Sequence, residues 1–284
     1  MSRQPPSPIA SKVSSRQVNL STGQKFFWGK PKQQLIDIFR KPIDNFERLS
    51  ERARTRNRQT QTTIDDPAFK ILEQDEKWSL IQLADGTFGW VTNSEIKCIK
   101  DLNYWEKIKL APREKLVEIA LPREQKIHKF LAEFEGVPYL WGGTTKAGMD
   151  CSAFVQKLIL KVGGILLPRN SREQKKCGQL VQSTTQPFYL PAGRQAHLSS
   201  RQPELSTRCP VDNPNCPLDI LFFVHLPTGR QARSTRRHHV GFCFENLIWH
   251  FCLDQKGLTS EPLESIKKRY DHIETRRIFK FKNA

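Results

Sequence analysis

The chain of 284 residues contains no run of 18 or more apolar residues, so no helix in it is expected to cross a bilayer. Its opening, MSRQPPSPIASKVSSRQVNL, lacks a continuous apolar stretch. No secretory signal is therefore expected, and the chain as written is placed in the cytoplasm; a longer start would make a periplasmic or extracellular location the expectation. No CxxC pair occurs among the seven cysteines (Cys98, Cys151, Cys177, Cys209, Cys216, Cys243 and Cys252), which argues against a thioredoxin-type motif and the commoner zinc ribbons. Reduced thiols are expected, most of them small apolar core residues. Cys209, Cys216, His238 and His239 have the wrong spacing for zinc, so no metal and no cofactor is expected.

Acidic residues are few, 29 Asp+Glu against 46 Lys+Arg, for a formal charge of +17. Such an excess suggests a phosphate backbone or an anionic surface as partner until its location is known. Residues 1–60 carry 13 of the basic residues against 4 acidic ones, and Arg230, Arg233, Arg236 and Arg237 crowd another short stretch that has no acid. What remains is only mildly basic. No RRM, zinc-finger or helix-turn-helix pattern accompanies the charge, so no specific nucleic-acid partner is expected.

What is present reads as a globular chain, 37% hydrophobic, with a basic leader. Residues 1–62 are polar, have no hydrophobic period and are expected to be largely disordered, with a possible helix around Gln33–Phe46. From Phe69, FKILEQDEKWSLIQLADGTFGWVTNSEI gives three strand-like runs separated by Asp75-Glu76 and Asp85-Gly86 turns, a small module over 63–100. Residues 101–126 read as a linker with a helix over Arg113–Ala120. A second helix is expected over Arg123–Phe134 and the main domain over 127–284. Two segments look inserted into it, 188–217 and 226–237. They share Leu190-Pro-Ala-Gly-Arg-Gln-Ala196 and Leu226-Pro-Thr-Gly-Arg-Gln-Ala232, alike at six of seven positions. Surface loops tolerate such additions because closure entropy grows slowly with length.

The chemistry centres on Tyr139-Leu-Trp-Gly-Gly-Thr-Thr-Lys-Ala-Gly-Met-Asp-Cys-Ser-Ala-Phe-Val-Gln156. Cys151 follows a glycine-rich loop and precedes an amphipathic run, with Phe154, Val155, Leu158, Ile159 and Val162 on one helical face and Gly163-Gly164 as the stop. A cysteine at a helix N-terminus is exposed to the macrodipole and to free N–H groups, which lower a thiol pKa and can receive an oxyanion. Taken alone such a cysteine is more often structural. Downstream, His239-Val-Gly-Phe-Cys-Phe-Glu-Asn-Leu-Ile-Trp-His-Phe-Cys252 reads as a hairpin turning at Glu245-Asn246. Pairing Phe244 with Leu247 puts His239 and His250 on one face as diagonal neighbours, one able to serve as base and the other to orient it. His238 would point to the opposite face.

With those residues named, residues 127–279 resemble the NlpC/p60 cell-wall cysteine peptidases, a papain-like family, through YLWGG, DCSAFVQ, LPRNS, DILFF and HHVGF…IWH in that order. Residues 69–99 are similar to a bacterial SH3-like module through EKWSLIQL and DGTFGWV. The pairing resembles the γ-D-glutamyl-L-diamino-acid endopeptidases. The resemblance implies an α+β fold, helices on an antiparallel sheet preceded by a small, shortened SH3-like barrel. It implies a cysteine-type endopeptidase with Cys151 as nucleophile, His239 as base and His250 as the orienting group. Tyr139, Asp150, Ser152, Arg169 and Ser171 are implied around the substrate, a murein peptide such as L-Ala-γ-D-Glu–diamino acid, handled by a monomer. Two departures stand out. Thr87 replaces the aromatic expected where the module contacts the substrate's alanine, and the second inserted segment ends beside His239. A catalytically impaired remnant acting as a wall-binding module is the alternative.

Overall fold

The computed structural model describes residues 27–43, 48–99, 105–120, 124–183, 218–225, 237–270 and 272–281. Among them, no helix is long and apolar enough to cross a membrane. The N-terminal unit is a seven-stranded sheet in the order β3-β2-β6-β5-β4-β1-β7, every pairing antiparallel. Its strands are β1 (Phe27–Pro31), β2 (Leu35–Phe39), β3 (Arg58–Thr63), β4 (Phe69–Gln74), β5 (Trp78–Gln82), β6 (Phe88–Thr92) and β7 (Ile96–Ile99), with the short helix α1 (Glu51–Asn57) ahead of β3. Alternation in β2 and β4 sends Ile36, Ile38, Phe69 and Ile71 inward, where they meet Ile81, Val91 and Ile96.

The leader therefore differs from expectation: its described residues from Phe27 onward supply the first three strands of this sheet, and the Gln33–Phe46 span holds β2 rather than a helix. The module is not shortened in the way the sequence suggested. Residues 1–26 lie outside the described residues. The strand RQTQTT of β3 has no apolar alternation because its buried face is polar. Arg58, Thr60, Gln61 and Thr62 are buried, and Arg58 forks onto Asp37 of β2 at 2.6 and 2.8 Å.

The second unit is a six-stranded antiparallel sheet covered by helices. Before it come the two-residue strands β8 (Lys109–Leu110), β10 (Thr144–Thr145), β11 (Gly148–Met149) and β12 (Ile165–Leu166), and the three-residue β9 (Val117–Ile119). The sheet has the order β13-β18-β14-β15-β16-β17. Its strands are β13 (Gln179–Ser183), β14 (Ile220–His225), β15 (Arg237–Phe244), β16 (Leu247–Cys252), β17 (Gly257–Glu261) and β18 (His272–Arg277), followed by β19 (Phe279–Phe281). Its helices are α2 (Glu124–Glu133), α3 (Cys151–Gly163), α4 (Ser171–Gln174) and α5 (Leu263–Lys267). This is the α+β arrangement of helices on an antiparallel sheet. Phe154 of α3 sits at its centre, 5.4 Å from Phe130 of α2 and 5.0 Å from Phe251 of the sheet.

The helix expected over Arg113–Ala120 is absent. Its place is taken by β9, which runs parallel to β19, while β8 runs parallel to β12. The expected linker is thus stitched to the second unit by pairings with distant residues, which override a local helical preference.

The two segments expected to be insertions, 188–217 and 226–237, lie outside the described residues except for the last residue of the second. Arg237, assigned to the second of them, is the first residue of β15. The ladder between β14 and β15 runs unbroken from Ile220↔Phe242 through Phe223↔His239 to His225↔Arg237. The insertion thus joins neighbouring ends of a closed ladder, and the position of His239 is set by its pairing with Phe223.

Candidate active site

Cys151 is the first residue of α3, and its neighbour Asp150 is the N-cap. The Asp150 carboxylate accepts from Ala153 N at 2.8 Å, Ser152 Oγ at 3.0 Å, Gly142 N at 3.0 Å and the Arg169 guanidinium at 2.6 and 2.9 Å. Gly142 adopts a φ of +74, a left-handed conformation that suits glycine, and this turns its amide toward Asp150. Arg169 also donates to Thr60 Oγ1 of β3 at 2.8 Å and to Ser152 Oγ at 2.7 Å. Asp150, Ser152 and Arg169 are all buried. Their polar atoms are turned on one another, so they hold the cysteine loop and tie it to the N-terminal sheet. Arg169 is buried and also borders a cavity lined by Thr60, Gln61, Thr144 and Gln156. Ser171 is half-buried at the start of α4, and Tyr139 is half-buried, close enough to Cys151 and Asp150 for their charges to act on its hydroxyl.

The histidines come from the hairpin, which turns where expected. Glu245 and Asn246 both have positive φ (52 and 61), as a tight I′ turn requires, and Phe244 pairs with Leu247. His239 Nε2 lies 2.7 Å from His250 Nδ1. The His239 ring packs in a triangle with Phe223, 5.9 Å away at 29°, and Tyr270, 6.1 Å away at 7°, which are 5.3 Å from each other. The sulfur of Cys151 lies close to the same strand, near enough for the Val240 backbone to oppose the rise of its thiol pKa.

Gly241 permits the histidine pair. A Cβ there would meet Trp249 O at 2.8 Å and His250 Cβ at 3.0 Å. Gly241→Val is expected to push the strands apart and to lower kcat/KM about 100-fold, the scale of a 1 Å misplacement, while far-UV circular dichroism stays native. Unchanged turnover would show that this spacing is immaterial.

Burial pushes the Cys151 thiol up to about 12; Asp150 adds to the rise, while the Val240 backbone, the Arg169 charge and the Ser152 backbone oppose it. The depressed thiol expected from the helix N-terminus is not what this enclosed site gives, because desolvation outweighs the stabilising dipoles. His239 is brought down to about 3, first by burial and then by His250 and Arg269. His250 is brought down to about 4 by burial and Arg269. At neutral pH the three groups are a thiol and two neutral imidazoles.

This has a consequence for stability. An unfolded histidine titrates near its ordinary 6.5, while these two stay neutral in the folded chain until about 4 and about 3. Below pH 6.5 the unfolded chain binds protons that the native one refuses, so these groups withdraw stability as pH falls through that window. The thermal midpoint is expected to drop as pH is lowered from about 6.5 toward about 4, and His250→Asn to flatten that slope. A midpoint equally steep in the variant would contradict it.

Two participants were not anticipated. Glu261 of β17 accepts from His250 Nε2 at 2.8 Å, and Arg269 donates to the same carboxylate oxygen. Both lie in polar surroundings of the sequence with no motif around them; the pairing of β16 with β17, which sets Ile248 opposite Glu261, brings in the carboxylate, and Arg269 reaches it from the segment after α5.

A cysteine at a helix start, set against a histidine pair on the adjoining sheet, is the layout expected of a papain-like cysteine peptidase. Residues 136–188 match the NlpC/P60 family. The chain is 46% identical over 50 residues to a protein of Escherichia coli K12 named murein DD-endopeptidase MepS/murein LD-carboxypeptidase, covering 18% of this chain and 27% of that one. It is equally identical over 50 residues to a γ-D-glutamyl-L-lysine dipeptidyl-peptidase of Bacillus subtilis, covering 18% of this chain and 17% of that one. A crystal structure of an NlpC/P60 family protein from Bacillus cereus aligns with a TM-score of 0.35 at 18% identity, covering 89% of this chain and 63% of that one. The chain thus spans about a quarter or less of the length of these two curated relatives.

Proposed function

We propose that the chain is a cysteine endopeptidase that hydrolyses amide bonds in peptidoglycan-derived peptides, at the bond between γ-D-Glu and the diamino acid. The observation that carries the reading is the neutral Cys151 thiol at the start of α3, facing a strand whose His239 is bonded to His250 at 2.7 Å. In this reading the thiol proton passes to His239 as sulfur bonds to the carbonyl carbon, and N–H groups at the helix start take the oxyanion. The C–N bond breaks and His239 gives the proton to the departing amine. Water then attacks the thioester, with one proton going to His239 and back to sulfur, which releases the acid. Tyr139 and Ser171, the half-buried members of the set, line the substrate's path, while Asp150, Ser152 and Arg169 hold the loop. The N-terminal sheet acts as an SH3-like module beside the site and restricts it to short peptides.

The name of the Escherichia coli relative concerns a different murein bond from that of the Bacillus subtilis relative, so the bond must be tested directly. The purified chain is to be incubated with L-Ala-γ-D-Glu-L-Lys, the same peptide ending in meso-diaminopimelate, a D-Ala–diaminopimelate cross-linked muropeptide and intact sacculi, with mass-spectrometric readout. Release of L-Ala-D-Glu from a tripeptide is the expected result. Cleavage confined to the cross-link would overturn the bond assignment, and no cleavage of any substrate would overturn the peptidase reading. The wall-binding remnant draws no support from this site, where the histidine pair, the ring stack and the capped cysteine are all in place.

A further inference from the structure

We propose that Glu261, held by Arg269, is a positioning residue that fixes the tautomers of both histidines and makes Nδ1 of His239 the basic nitrogen. The inference rests on His239 acting as base in the reading above, and adds the atom that does so and the groups that select it. A carboxylate is acceptor-only, so the 2.8 Å contact with Glu261 Oε1 requires the proton of neutral His250 to sit on Nε2. Nδ1 of His250 then carries a lone pair. The atom 2.7 Å from it, Nε2 of His239, must be the donor. Neutral His239 has one N–H, and with that proton on Nε2, its Nδ1 is left as the lone pair available to the thiol.

The opposite assignment disables the base. If His250 carried its proton on Nδ1, His239 Nε2 would have to accept, and His239 Nδ1 would hold a proton when the reaction needs a lone pair. A protonated His250 would have the same effect, since both its nitrogens would donate. The guanidinium of Arg269 counters that outcome: it disfavours a second positive charge on His250 and leaves Glu261 free to accept. Glu261 therefore orients the pair without drawing a proton onto it. His250 is fully buried and the Glu261 side chain is only 12% exposed, so water does not readily replace the carboxylate. Arg269 and Tyr270 are consecutive just after α5, so one short segment anchors the carboxylate and stacks on the His239 ring.

The test uses the full chain with 15N-labelled histidine and long-range 1H–15N NMR, beside steady-state kinetics on the tripeptides. The wild type is expected to show both rings as the Nε2–H tautomer. Glu261→Ala is expected to give mixed tautomers and to lower kcat about 100-fold, with KM within about twofold. Glu261→Gln keeps an oxygen acceptor and is expected to retain the tautomers and lose less than about tenfold. It also serves should the alanine variant fail to fold. Glu264→Ala, on the exposed outer side of α5 and paired with Lys267, should match the wild type in both readouts. Wild-type rings with the proton on Nδ1, unchanged tautomers in Glu261→Ala, or equal loss in the Ala and Gln variants would each overturn the proposal. The NMR result stands or falls whether or not a murein peptide is cleaved, which separates this inference from the function on which it rests.

Discussion

Cys151→Ala is expected to reduce cleavage of the γ-D-glutamyl tripeptides by at least about 10⁴-fold, to the level of buffer controls. Removing the nucleophile of a covalent mechanism leaves only binding and oxyanion stabilisation, and the loss in such cases reaches the order of 10⁶ in kcat. The substitution deletes one sulfur from a buried, well-packed position and adds no bulk, so the fold is expected to survive and circular dichroism should overlay. Retained turnover in Cys151→Ala would remove the mechanism altogether. Simple alkylation is a poor substitute for this experiment. The enclosed Cys151 is a neutral thiol, whereas Cys98 is exposed and meets iodoacetamide more readily. A substrate-shaped electrophile, which approaches through the peptide site with His239 available as base, is expected to reverse that order.

The second large effect is on stability. Arg169→Met is expected to destabilise the chain by about 3–5 kcal/mol, the cost of breaking a buried ion pair from one side, and to lower the thermal midpoint by on the order of 10 °C. Both partners are nearly inaccessible, with 6% of the arginine side chain and 10% of the aspartate side chain exposed. The methionine fills much of the arginine's volume but leaves the Asp150 charge without its counter-ion and Thr60 Oγ1 and Ser152 Oγ without the guanidinium donor. Two consequences are separable. The Tm drop reports the lost pair, and a falling kcat reports the loop that carries Cys151, because Arg169 also offsets the influence of Asp150 on the thiol. A midpoint within about 2 °C of wild type would show that the network is not a source of stability.

The sequence made the α3 helix, the hairpin turn and the diagonal histidine pair readable, because each rests on short-range pattern. Asp150-Cys151 ahead of an apolar period of 3.6, and Glu-Asn between alternating runs, determine geometry within a few residues. Residues further apart were harder to connect. β3 is a buried strand without apolar alternation, stabilised by Asp37 and by Arg169 from the other unit. β9 has the composition of a helix and becomes a strand only because β19 arrives beside it. Glu261 and Arg269 are ordinary surface-type residues until β17 pairs with β16, so nothing local marked them. Motif position indicated that Asp150, Ser152 and Arg169 lie near Cys151, but not the hydrogen bonds they make with one another.

The unbroken β14–β15 ladder bears on how this gene can change. His225 and Arg237 are cross-strand partners, so the backbone has already come back on itself where residues 226–236 begin and end. In-frame additions or deletions between those codons alter the span of a connection whose two anchor points stay fixed, and the entropic cost of a longer one rises only logarithmically. Phe223 and His239 remain opposite each other whatever is spliced in. A change of length in that connection therefore leaves the cross-strand place of His239, two residues beyond its anchor at Arg237, to the ladder itself.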